Sequence, residues 1–62
     1  MSQELARKLK DARARLNLSQ AAAAAEWGIP LPTLRHWEQD QNTPRGFALT
    51  ALMEKLDAIL SP

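Results

Sequence analysis

The chain has no cysteine and no tyrosine, two glycines, one histidine and three aromatic side chains in 62 residues. Without cysteine there is no disulfide and no thiolate zinc site. The lone His36 has no second imidazole beside which to hold a metal. Absence of cysteine also fits a reducing compartment. Long apolar runs are missing too. The longest without a charge, Ala21 to Ala25, is far too short to span a bilayer. Met1-Ser2-Gln3-Glu4 leads into no secretory signal. These absences predict a cytoplasmic protein with no membrane partner. No glycine-rich phosphate loop, metal-ligand cluster or matched acid pair occurs, so the expectation is a non-enzyme with no catalytic residue, cofactor or metal.

What remains is a small helical chain. Hydrophobic residues make up 45%, but eleven of them are alanine, the strongest helix former. Runs of β-branched residues are lacking. A chain of this length makes one domain, residues 1–62, and a small core stabilises it only modestly. Helix packing or oligomerisation must supply the rest. The formal net charge of +1 says little about partners. Its distribution says more, because Arg7, Lys8, Lys10, Arg13 and Arg15 crowd the first quarter. Such a cluster can face phosphates or simply form a solvated helix side.

Four helices are predicted. Leu5, Leu9, Ala12 and Leu16 recur at helical spacing, giving a first helix from about Gln3 to Leu16, with Ser2 as its cap and Asn17 ending it left-handed. Ser19 caps a second helix, Gln20 to Trp27, which Gly28 ends. Two turns of helix do not hold in water alone, so this one must dock. Pro30 and Pro32 mark the start of a third, completed by Thr33 to Gln39, because proline is tolerated in a first turn. Leu34 and Trp37 share its buried side. Asp40 to Thr43 reads as a polar loop. Thr43-Pro44 then reads as cap and first position of a long helix to Leu60. Its apolar set is Leu49, Leu52, Met53, Leu56, Ile59 and Leu60.

Two short helices joined by a tight glycine-containing turn form the helix-turn-helix signature. The DNA-facing unit spans Ala21 to Glu38, with Ala24 small enough to let the helices cross closely. The run Leu18-Ser19-Gln20, then Ala24, Gly28-Ile29, Thr33-Leu34-Arg35, Trp37-Glu38-Gln39 and Pro44 resembles the phage-repressor and Cro type, the XRE family. It is especially similar to small HigA-like regulators, and the resemblance covers about Leu9 to Leu52. It implies an all-α, compact four-helix, lambda-repressor-like domain with a long C-terminal helix. Its recognition helix would be Leu31 to Gln39.

The resemblance also implies roles for individual residues. Leu31, Pro32 and His36 occupy base-reading positions, with Thr33 and Arg35 beside them. Gln20 matches a phosphate-holding glutamine, and Arg45 a basic residue near the backbone or minor groove. Arg13 and Glu38 match an ion pair tying the first helix to the third. Four departures stand out. Asp40 replaces a usual glycine and must adopt a left-handed conformation at some cost. Ala23 is small where a large apolar residue is usual, and Trp27 is large where leucine is usual, a volume exchange. Pro30 replaces a side-chain cap. Leu31 and Pro32 offer no side-chain hydrogen bonds, only apolar contact with a thymine methyl. Direct readout then falls to Arg35, His36 and Thr33, with the rest left to DNA shape.

The expected function is a sequence-specific, repressor-like transcriptional regulator. It would act on double-stranded DNA as a homodimer, with Met53, Leu56, Ile59 and Leu60 partly reserved for the dimer interface. The other side of that choice is that the first helix covers the whole face. The alternative function is an antitoxin-type module that binds a toxin protein and its own operator.

Overall fold

A computed structural model describes residues 3–40 and 44–61. Within them lie four helices and no strand: α1 (Glu4–Leu16), α2 (Gln20–Trp27), α3 (Leu31–Glu38) and α4 (Phe47–Leu60). The caps read at Ser2 and Thr43 lie outside the described residues.

The connections follow from local chemistry. Asn17 takes φ 58° and ψ 46° at the end of α1. The Leu18 amide then donates to the Arg13 carbonyl at 2.9 Å, the long-range bond of a Schellman cap. Leu18 packs on the core behind it. The Ser19 hydroxyl accepts from the Ala22 amide at 3.1 Å and opens α2. Gly28, at φ 68°, closes α2, and the Ile29 amide reaches the Ala24 carbonyl at 2.9 Å. The turn of the two-helix unit is thus three residues long, stopped by glycine and restarted by proline. Pro30 caps α3 without a side-chain bond.

Three boundaries differ from expectation. Helix α1 begins at Glu4 with Gln3 as its N-cap, one residue later than read. Gln39 is the C-cap of α3 and not its last residue; the chain leaves through Asp40 at φ 59°. The largest difference is at α4, which begins at Phe47 and not Pro44. Gly46 sits at φ 62° and ψ −135°, a backbone conformation open essentially to glycine alone, and no helix passes through it. A proline that suits a first turn was outweighed by a glycine two residues later.

Seven buried residues form the core cluster: Leu5, Leu9, Ala12, Ala23, Ala24, Leu34 and Leu56. Helix α1 is central, packing against both α3 and α4, while α2 packs on α3. Both Ala23 and Ala24 are buried at the α2 crossing, and Trp27 lies half-buried against the core. Small residues let the helices approach closely.

The α4 face is corrected in part. Leu56 is fully buried among residues of its own chain, so it has no surface to offer a partner. Its neighbours Leu49, Leu52, Met53, Ile59 and Leu60 pack on the core while staying partly open. Phe47, absent from the expected interface, is 94% exposed at the start of the helix.

Candidate nucleic-acid interface

Helix α3 is held from behind and bare in front. Leu34 is fully buried, and Glu38, one turn later, is 3% exposed. At 100° per residue, Pro32, Arg35, His36 and Gln39 fall within a narrow arc on the other side. All four are exposed. This is the stripe that a major groove would meet. Arg35 brings a planar five-donor fork that matches guanine O6 and N7.

The expected contact residues are not equally placed. Pro32, Arg35 and His36 are exposed; Leu31 and Thr33 are half-buried, and Leu31 packs against the core. Leu31 therefore serves packing with at least part of its side chain. Arg45 is exposed in the segment before α4. Gln39 was not among the expected contacts, yet it is exposed on the same stripe, and its i+7 relation to Pro32 and i+3 relation to His36 were legible. Its amide has both a donor and an acceptor, the pair that recognises adenine.

Behind the stripe lies a polar hub. Arg13 Nε donates to Glu38 Oε2 at 2.7 Å, and Arg13 Nη2 donates to Glu38 Oε1 at 2.9 Å. Arg13 Nη1 also donates to the Leu18 carbonyl at 3.2 Å. One guanidinium thus ties α1 to both the α1–α2 turn and α3. Gln20 Nε2 donates to Glu38 Oε1 at 3.1 Å. Side chains from α1 and from the start of α2 thus converge on Glu38. A carboxylate near a helix C-terminus opposes the dipole, and these charge-assisted bonds offset that cost.

The N-terminal basic cluster is mostly occupied at home. Lys8 Nζ lies 2.6 Å from Asp57 of α4 and 3.5 Å from Glu4. The hydrogen bond to Asp57 is the main reason its pKa is raised above 10.5. Arg15 donates to the Leu60 carbonyl at 3.1 Å. Arg7 and Lys10 are exposed cations of that cluster and border a cleft shared with Asp11 and Asp40. The described residues contain no group of three acids, histidines or cysteines placed to hold a metal. None of their helices is long and apolar enough to cross a membrane.

No curated protein and no solved structure matches the chain significantly. A family model for the helix-turn-helix does match, over residues 9–59. That span runs from the middle of α1 almost to the end of α4 and contains the whole polar hub. With four helices in this order and a bare third helix, the chain belongs to the XRE family of helix-turn-helix proteins, the Cro/C1-type DNA-binding transcription regulators.

Proposed function

We propose that the chain is a sequence-specific regulator that sets α3 into the major groove of duplex DNA and acts as a dimer. The exposed stripe of α3 carries this reading. Arg35 and His36 supply hydrogen bonds to base edges, Thr33 contributes from the side, and Pro32 with the open part of Leu31 supplies apolar contact. Gln20 opens α2, where the positive helix end favours a phosphate. Arg45 supplies a second backbone contact. Five candidate base-contacting side chains, two of them apolar, make a short code, and deformability of the DNA completes the selection. Bound at a promoter, the dimer would act as a repressor by occupying the site that polymerase needs.

Symmetric half-sites one turn apart require two recognition helices, hence two copies. The open edges of Met53, Ile59 and Leu60 are the surface we assign to the second copy. Selection of bound sequences from random duplex DNA tests the reading. Enrichment of a short, two-fold-related motif is expected; recovery of unenriched DNA at moderate salt would sink it.

A second reading draws on Phe47, an aromatic ring almost wholly in water on α4. Such a residue marks a protein contact more often than a DNA contact. An antitoxin-type module would use it to bind a toxin protein while α3 holds the operator. A toxin-like reading frame beside the gene would favour this second reading.

A further inference from the structure

We propose that Glu38 is a positioning residue for DNA-backbone binding: it selects which end of the Gln20 amide faces outward. The proposal rests on the DNA-binding reading above and on the hub geometry.

The Glu38 carboxylate, paired with Arg13, offers acceptor atoms to its neighbours. Two bonds from Arg13, at 2.7 and 2.9 Å, hold it in place, and its side chain is 2% exposed. The Gln20 amide has two faces, a carbonyl oxygen and an NH2 group. Only the NH2 group can approach a fixed carboxylate, and Nε2 does so at 3.1 Å. One of its two protons is thereby used. The second remains as a donor on a side chain that is still partly open. An unrestrained glutamine samples both ends before binding and must be ordered with its nitrogen toward the phosphate as DNA arrives, because oxygen against phosphate is repulsive. Glu38 removes that alternative before DNA arrives, so the ordering cost is met during folding. Because Arg13 fixes Glu38, the same pair that ties α1 to α3 also aims the backbone contact.

The test separates aiming from electrostatics, because the two predict opposite signs. Affinity for one duplex is measured for the wild type, Glu38→Gln, Gln20→Ala and the double variant, with helicity checked by circular dichroism. Loss of a negative charge alone would tighten binding to a polyanion. Loss of aiming weakens it, by about tenfold for one hydrogen bond to a charged group. In the Gln20→Ala background, Glu38→Gln should weaken binding no further. Equal or tighter binding by folded Glu38→Gln overturns the proposal, and so does an undiminished loss in the double variant. Should Glu38→Gln fail to fold, relaxation of the Gln20 side-chain amide in the wild type decides. Order matching the helix backbone supports the proposal, and averaging like the exposed Gln3 overturns it. Failure of the wild type to bind any duplex removes the DNA reading and this role together. Tight binding with additive losses removes only the role of Glu38.

Discussion

Arg35 and Arg45 are both exposed arginines, yet they should fail differently when removed. Arg35 lies on the α3 stripe, where a guanidinium can grip a guanine edge. Arg35→Ala should cost about 1–3 kcal/mol at one base position and erase preference there. Arg45 lies outside the helix, beside Gly46. Arg45→Ala should weaken all sequences alike and lower the salt dependence of binding by about one phosphate contact. Competition binding across single-base variants, at two salt concentrations, distinguishes them; identical profiles would remove the division into reading and anchoring. Gly46 makes a different kind of contribution. A Cβ there would meet nothing within 4 Å, so space is no obstacle. The backbone is, at φ 62° and ψ −135°. Gly46→Ala should therefore destabilise by about 1–3 kcal/mol in urea denaturation through strain alone. A neutral result would mean that the start of α4 tolerates another conformation.

Among the helices, α2 shows most clearly what depends on its neighbours. Its residues from Ala21 to Ala25 have high propensity, but eight residues do not nucleate a helix in water. Packing on α3 holds it, with Ala23 and Ala24 buried and Trp27 half-buried against the core. Trp27→Leu should destabilise by more than about 1 kcal/mol, since leucine leaves a cavity beside a small-residue crossing. An unchanged thermal midpoint would show that the indole fills no needed space. Helices α1 and α4 are joined at their polar edge by Lys8 and Asp57. The raised Lys8 pKa sets the sign of the pH effect. The folded state holds the proton more tightly, so this contribution is complete below the ordinary lysine value and fades as pH rises through the folded one. Stability should fall above about pH 10.5 in the wild type and fall less in Lys8→Met, as followed by denaturation at neutral and alkaline pH. Parallel curves would remove the Lys8–Asp57 tie from the stability of the α1–α4 packing.

For the whole molecule, the open question is what meets α4. The face is amphipathic, but α1 covers Leu56 completely and the flanking residues partly. What remains is a strip along Met53, Ile59 and Leu60, with Phe47 standing apart at the helix start. Because Phe47 is 94% exposed, Phe47→Ser should leave the monomer intact. If the second copy reaches that end of the helix, the variant should dissociate at higher concentration than the wild type. It should also lose affinity for a two-half-site duplex while keeping a single half-site. Sedimentation and binding together check this; a wild-type monomer at high concentration without DNA would count against the dimer.

The sequence determined most of the element pattern, because its signals are local. Asn17, Ser19 and Gly28 each act within one turn of chain, and α1 and α2 stop and start where those residues require. The exposed side of α3 was also legible, since Leu34 and Trp37 mark its back and helical spacing then marks its front. The tertiary structure decided the rest for reasons that are not local. Gly46 outweighed Pro44 in setting the start of α4, which depended on the backbone conformation the chain adopts there. Burial of Leu56 depended on how α1 lies across α4, and an amphipathic stripe does not say which of its members a neighbour covers. Three cations of the N-terminal cluster found partners on later helices, which charge along a sequence cannot reveal. The join between Gln20 and Glu38, eighteen residues apart, exists only because α2 and α3 are packed together.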